Sequence, residues 1–330
     1  MRTPEFWYRD DGGILAGLLA PAAAVYRRLA IRRSRAARPW QAPVPVVCVG
    51  NLVTGGAGKT PVALSIGARL AQRGVDVHFL SRGYGGSLAG PVRVDPAHHT
   101  AAEVGDEPLL LAEACPTWVA RDRRQGVLAA VSAGATLVVM DDGFQNPSVI
   151  KDVTVIVVDG PRGFGNGRLI PAGPLREPLA DGLARADVMV LIGDDPHGIG
   201  RRMAAKPVLR ASMQPAEDTA ERLAGAAVVA FAGIGHPQKF FATLQELGCT
   251  LVAAHSFADH HVYRCKEIAA IVRQAESAQA VPVTTAKDFV RLDPALRSGI
   301  EVVPITLAWH DEAALERILD RFLEPCWHVR

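Results

Sequence analysis

The densest chemistry in the chain lies in the run Gly55-Gly56-Ala57-Gly58-Lys59-Thr60-Pro61, which follows directly on the strand-like segment Val44 to Gly50. Glycines at 55, 56 and 58 let the backbone turn tightly and aim its N–H groups at phosphate oxygens. A helix beginning near Thr60 adds the positive end of its dipole. In that setting Lys59 bridges the β- and γ-phosphates of a nucleotide, and the Thr60 hydroxyl ligates Mg²⁺. The strict G-x-x-x-x-G-K-[ST] spacing asks for glycine at position 53, where this chain has Val53, so the loop is a variant P-loop. A purely structural glycine turn is the alternative. Strand, glycine turn, Lys-Thr and helix in that order favour the phosphate-binding reading.

A P-loop needs an acid at the end of a neighbouring strand to hold the metal or its water, and Thr136 to Met140 runs straight into Asp141-Asp142-Gly143. The same two carboxylates would otherwise cap a following helix. Gly105-Asp106-Glu107-Pro108 supplies a second acidic pair at the start of a helix through Ala114, and read alone it is either an N-cap or part of a site. Transfer of a phosphoryl group to a hydroxyl also benefits from a base, and Asp259-His260-His261 is the conspicuous acid-histidine cluster. By itself that cluster reads equally as a base, a metal site or a solvated loop.

These groups must be positioned by a sizeable fold, and 330 residues with 49% hydrophobic content suffice for one large domain or two moderate ones. From Val44 onward β-branched runs alternate with helical stretches: Val44 to Val49, Val75 to Leu80, Thr136 to Met140, Val153 to Val158 and Val188 to Ile192. Such alternation predicts a doubly wound α/β fold around a mainly parallel sheet. A second set, Ala226 to Ala232, Thr250 to Ala254, Val281 to Thr285 and Glu301 to Ile305, with a helix from Pro237 to Leu247, predicts a smaller α/β domain. The polar stretch Met213 to Arg222 reads as the linker, giving a P-loop domain over residues 39–222 and a smaller domain over 223–330. A Gly/Pro-dense loop from Gly160 to Pro178 is long enough to have a functional reason.

Residues 1–38 form a third region, an apolar run from Gly12 to Val25 followed by Arg27, Arg28, Arg32, Arg33, Arg35 and Arg38. The run falls short of the roughly 20 residues a spanning helix needs, and Pro21 interrupts it. Its charges follow the apolar stretch, which is the wrong order for a secretory signal. An interfacial helix with arginines meeting anionic lipid fits better, with a buried helix and a solvated arginine face as the plain alternative. A net charge of +2 gives no global field for nucleic acid, and no nucleic-acid partner is expected. Five scattered cysteines without a CxxC pair argue against a disulfide framework or a zinc site and fit a reducing cytoplasm.

Taken together, the segments resemble the tetraacyldisaccharide 4′-kinases over nearly the whole chain. The pieces are Gly50-Asn51-Leu52, the P-loop, Ser81-Arg82-Gly83-Tyr84-Gly85, Gly105-Asp106-Glu107-Pro108 and Asp141-Asp142-Gly143-Phe144-Gln145. Arg162-Gly163-Phe164-Gly165-Asn166-Gly167, Pro171-Ala172-Gly173-Pro174-Leu175-Arg176-Glu177-Pro178 and Phe257-Ala258-Asp259-His260 follow in order. The resemblance implies ATP-dependent, Mg²⁺-assisted phosphorylation of the 4′-hydroxyl of an acylated glucosamine disaccharide 1-phosphate at the cytoplasmic face of the inner membrane, and a monomer is expected. It implies a catalytic dyad of Asp106 and His260 acting with Lys59. Glu107, Asp141 and Asp142 join Thr60 as metal or water-shell candidates, and Arg82, Tyr84, Arg123 and Arg176 become substrate or nucleotide contacts.

The chain departs from that family at Asn146, where His is usual, at Gly86, where a basic residue is common, and at Ala286, where an acid is usual. The main rival is a P-loop GTPase or ATPase of metallochaperone or partitioning type, but no [NT]-K-x-D motif is present, since Asp288 follows Lys287 at once. A membrane-associated nucleotide-binding module is the third reading.

Overall fold

The computed structural model describes residues 4–9, 12–203 and 205–323; the side chains of Arg33 and Arg35 and the whole of Cys326 lie outside the described residues. The first eight strands are β1 (Val46–Gly50), β2 (Val77–Ser81), β3 (Val92–Arg93), β4 (Thr117–Val119), β5 (Leu137–Asp141), β6 (Val153–Asp159), β7 (Val188–Ile192) and β8 (Val208–Pro215). After them come β9 (Ala227–Ala232), β10 (Thr250–Ser256), β11 (Val281–Thr285), β12 (Glu301–Val303) and β13 (Ile305–Trp309). Six helices matter below: α1 (Gly13–Leu18), α2 (Ala20–Ala36), α3 (Lys59–Gln72), α4 (Ala101–Val104), α5 (Asp106–Ala112) and α6 (Arg123–Ser132).

β1, β2, β5 and β7 are buried at every residue, and strands with no polar face need cover on both sides. They lie in a nine-stranded sheet of order β13-β8-β7-β6-β1-β5-β2-β4-β3, parallel except at its rims, where β13 and β3 run antiparallel to their neighbours. The pleat sorts β1 between two cores. Val47 and Val49 pack with Ile66, Leu70 and Phe79 on one face, and Val46 and Cys48 with Leu80, Val138 and Met140 on the other.

The smaller sheet, β10-β9-β11-β12, is parallel throughout. Val228 and Ala230 face Phe240 and Leu244, while Val229 and Phe231 face Ile268 and Ile271. This is the expected second α/β unit, but its chain limits differ from the sequence reading at both ends. The stretch Met213 to Arg222 is not an open linker: β8 runs on to Pro215 and a helix occupies Glu217–Leu223. At the other end the expected strand Glu301 to Ile305 splits at Pro304, which has no N–H to offer a ladder. β12 stays in the small sheet, and β13 crosses back to pair with β8, Ile305 opposite Pro215. The helix Glu312–Leu323 then lays Leu315, Ile318, Leu319 and Phe322 on the core that holds Val47 and Ile66. Its pairs with α3, such as Arg69–Glu312 at 2.8 Å, are partly exposed, each worth about 0.2–1 kcal/mol, so the apolar stripe does most of the docking.

β5 sits between β1 and β2, so the chain leaves β1 through α3 and returns two places along. Ligands of such sheets bind in the crevice beyond the carboxyl ends of the strands where the order switches. The P-loop leaves β1 there, and Asp141 ends β5 beside it.

Candidate active site

Val53 explains the variant spacing of the loop. It is held extended in an isolated bridge to Leu175, and Thr54 N donates to Pro174 O at 2.8 Å, so position 53 needs no glycine conformation. The positive φ values fall on Gly55 (121°) and Gly58 (84°) instead. Among the described residues the amides of Gly55, Gly56, Ala57 and Gly58 have no hydrogen-bond acceptor, which is the concave array of N–H groups an anion needs. Pro61 falls in the first turn of α3, where a missing N–H costs nothing. The Gly160 to Pro178 segment is the shoulder of this loop: Arg176 N donates to Leu52 O at 2.8 Å and Tyr26 OH of α2 to Arg176 O at 3.0 Å.

The strand-end acids split their work. No helix follows them, so the capping alternative falls. Thr60 Oγ1 donates to Asp141 Oδ2 at 3.0 Å, while Asp141 Oδ1 is buried without a partner. Burial first, and the charge of Asp142 second, push the Asp141 carboxyl up to about 7. Asp142, in the left-handed region at φ 52°, turns the other way, with Lys59 Nζ at 3.8 Å and Arg176 Nη1 at 3.0 Å. Burial would raise its pKa, but Lys59 and then Arg176 hold it below the ordinary range. Lys59 is itself lowered by burial, with the Arg176 charge adding to the effect. Among the described residues no three His, Cys, Asp or Glu side chains converge on one point, so this is not an all-protein cage. A threonine hydroxyl plus one orphaned carboxylate oxygen beside an amide cradle fits a divalent cation carried on a polyphosphate.

Gly105, at φ 90°, brings the backbone so near Tyr84 that a Cβ would lie 2.6 Å from the Tyr84 carbonyl oxygen. Gly105 occupies the N-cap position of α5 and no side chain caps the helix, so the capping role read for the acids is not used. The Asp106 side chain is thereby freed to turn toward the small unit. Its Oδ2 meets His260 Nδ1 at 2.9 Å and Arg291 Nε at 2.9 Å, and Arg291 Nη2 reaches the same oxygen. Burial opposes ionisation of Asp106, yet the hydrogen bonds from His260 and Arg291 take its pKa down to about 2. The same bond from Asp106 raises His260 against its own burial. His261 takes no part; it bonds Glu267 at 3.0 Å and stacks on Phe257.

The remaining predicted site residues are partly assembled. Tyr84, 72% exposed, stands with its ring 6.1 Å from that of His260. Arg123 is buried at the start of α6, donates to Ala120 O, and keeps an unpartnered Nε. Burial and then the nearby Arg82 lower it to about 10. Arg82 is exposed and has no ion pair among the described residues. Arg176 is occupied by Asp142 and Gln145, and Glu107 by Lys287 Nζ at 2.5 Å.

A family described as LpxK, tetraacyldisaccharide-1-P 4′-kinase, matches residues 15–324 of this chain. The chain belongs to the tetraacyldisaccharide 4′-kinase family. The tetraacyldisaccharide 4′-kinase of Rhodospirillum centenum is 53% identical over 97% of this chain and 96% of its own length. That of Rhodospirillum rubrum is 53% identical over 98% of both. Among solved structures, LpxK from Aquifex aeolicus, described as an "apo" form in complex with ATP, superposes with a TM-score of 0.76 at 26% identity, covering 94% of this chain and 100% of that one. A P-loop kinase fold and phosphotransferase activity follow from membership of this family.

No motif in the sequence singles out Arg291 or Tyr263, and Lys287 and Asp288 figure there only in excluding a guanine-reading motif. Asp288 is fully buried and accepts from Gly233 N, Tyr263 OH and Arg291 Nη1. An acid and an arginine three apart on a short helix after a buried strand, Asp288 and Arg291, is the one signal that could have marked them. Of the departures from the family pattern, Asn146 folds its own turn by accepting from Ser148 N at 2.9 Å. Gly86 packs so closely on Glu103 that a Cβ would lie 2.5 Å from its carbonyl oxygen.

Proposed function

We propose that this chain transfers the γ-phosphoryl group of ATP to the 4′-hydroxyl of an acylated glucosamine disaccharide 1-phosphate, acting as a monomer on the cytoplasmic face of the inner membrane in lipid A biosynthesis. The carrying observation is the 2.9 Å contact of Asp106 with His260, made between the two units beside the P-loop acids. α3, which carries Lys59 and Thr60, packs against α5, which carries Asp106, and this supports reading dyad and phosphate cradle as one site.

Lys59 and the loop amides hold the β- and γ-phosphates in line with the acceptor. Thr60 and the unpartnered oxygen of Asp141 would hold Mg²⁺, which would supply charge neutralisation on those phosphates. Asp106 spends Oδ2 on its three donors, and among the described residues Oδ1 has none, so Oδ1 is the oxygen available to the sugar hydroxyl. A loose phosphoryl-transfer transition state asks for orientation of the hydroxyl more than early deprotonation, so a carboxylate of low pKa serves. As the new O–P bond forms and the bond from the γ-phosphorus to the bridging oxygen breaks, ADP leaves with the electron pair and the hydroxyl proton passes to the dyad.

The lipid must be met at its own surface, and the N-terminal helices supply the means. No helix among the described residues is long and apolar enough to cross a membrane. Ala16 and Ala23 face the protein, while Ile14 (84% exposed), Leu18 (71%), Val25 and Leu29 stand outward. Their spacing of four, seven and four residues makes one stripe along a nearly continuous helix, with exposed Arg27, Arg28 and Arg32 near its end. An apolar stripe ending in arginines suits shallow insertion among anionic headgroups.

Labelled ATP supplied with acyl disaccharide 1-phosphate in detergent micelles tests the reading. A phosphorylated lipid product is expected. Nucleotide hydrolysis without that product, or a preference for GTP, overturns it.

A further inference from the structure

Beyond the dyad itself, one side chain ties both its members together across the two sheets. Arg291 ends the helix Ala286–Arg291 of the small unit, and its side chain is 5% exposed. Nε and Nη2 both reach Asp106 Oδ2, and Nη1 donates to Gly233 O at 2.7 Å and Asp288 Oδ1 at 3.0 Å. Gly233 O also accepts the backbone N–H of His260 at 3.0 Å, and Arg291 Nη2 lies 3.2 Å from His260 Nδ1. One planar fork therefore spans the carboxylate from the large unit and the turn that carries the imidazole from the small one.

The surroundings distinguish this from simple docking. Asp288 is saturated: Oδ1 takes Gly233 N, Tyr263 OH and Arg291, and Oδ2 takes Thr285 Oγ1. It anchors the guanidinium from behind. Docking of the two units already has other support, since Lys287 pairs with Glu107 and Val290 packs with Val104 and Leu109. The added effect of Arg291 is geometric. By occupying Oδ2 together with His260, it leaves Asp106 Oδ1 as the oxygen without a donor.

We infer that Arg291 is the positioning residue of the acceptor site, holding Asp106 and the His260 turn in one register so that Asp106 Oδ1 and the imidazole face the sugar hydroxyl together. This rests on the reading of Asp106 and His260 as the pair that prepares the acceptor. Lysine does not replace such a fork, because a single ammonium does not span Asp106 Oδ2 and Gly233 O as a planar array of five donors does.

The test compares wild type with Arg291→Lys, Arg291→Ala and Asp106→Asn in the micelle assay, with and without added methylguanidine. Arg291→Ala is expected to lose about 10–100-fold in kcat, taking the loss seen when a partner that orients a metal-ligating side chain is removed as the measure. KM for ATP should stay within about twofold, methylguanidine should restore part of the lost kcat, and Arg291→Lys should keep most of the defect. A wild-type kcat in Arg291→Lys overturns the inference. So does an Arg291→Ala defect in which KM for ATP rises in step with the fall in kcat and methylguanidine restores nothing, which marks a docking role. Should the alanine variant not fold, the lysine variant alone decides. If Asp106→Asn turns over normally, the reading of the dyad has failed; if it is inactive while Arg291→Lys is normal, only the role of Arg291 has failed.

Discussion

Asp106→Asn is the substitution on which the site makes its sharpest demand. It keeps the shape and an acceptor oxygen but removes the charge that Arg291 and His260 share. The drop in the Asp106 pKa from the usual 3.8 to about 2 corresponds to ~2 kcal/mol at about 1.4 kcal/mol per pH unit. Because the folded pKa is depressed, this stabilisation is present above pH 3.8 and is lost as pH falls from there through about 2. The variant should therefore be less stable throughout the neutral range, with a Tm lower by roughly 3 °C on the usual size scaling. His260 adds a pH dependence of opposite sense. Its pKa is raised by Asp106, so its contribution is complete below 6.5 and fades as pH rises past the raised value. The gap between wild type and variant should thus be wider at pH 6 than at pH 9. In the micelle assay kcat should fall by about 10²–10⁴-fold, the range for a lost general base, while ATP affinity stays within about twofold, since the Asp106 side chain bonds His260 and Arg291 and, among the described residues, no hydrogen bond joins it to the P-loop. Turnover within a few-fold of wild type would remove Asp106 from the chemistry, and a stability gap that widens with rising pH would refute the charge reasoning.

With Asp141 raised to about 7 by burial and by Asp142, cation binding must displace a proton. Apparent Mg²⁺ affinity in the presence of ADP should therefore climb from pH 6 to about 8 and level off, and Asp141→Asn should flatten the profile when followed by calorimetry. Gly58→Ala places a Cβ 2.2 Å from Met213 Cε and 2.6 Å from Ile192 Cδ1 at a φ of 84°. The left-handed backbone alone costs about 1–2 kcal/mol; fluorescent nucleotide titration should show weakened ATP binding, and native affinity would contradict the loop geometry. Placing Asp at both Leu18 and Leu29 should lower partition onto anionic liposomes at least ~10-fold without changing ATP binding, since each leucine gives up about 1.5–3 kcal/mol of apolar burial when fully inserted. Unchanged partition would take the stripe away from the membrane.

The cradle was readable because its parts are neighbours in the chain. A buried β-branched run, a glycine turn and Lys-Thr at a helix start are each fixed within a few residues, and Asp141 announces itself at the end of an apolar strand. Asp106 was ambiguous for the opposite reason: an acid at a helix start is usually a cap, and only the turn at Gly105 with the small unit opposite sends its side chain elsewhere. Periodicity likewise finds the core strands, but β8 has the pattern of a half-exposed strand near the rim, so it is not singled out and its end, Met213 to Pro215, falls in the stretch read as linker.

The residues alone determined that the chain carries a phosphate loop with an acidic strand end beside it, two α/β sheets and an apolar, arginine-flanked N-terminal segment, because those follow from local spacing and from which side chains avoid water. Only the tertiary structure decided that β13 returns to the large sheet, that Lys287 closes on Glu107, and that Arg291 grips Asp106 while steadying the His260 turn. Those contacts join residues up to 185 positions apart, and no local pattern specifies a pairing that exists only when two separately packed sheets bring their loops together.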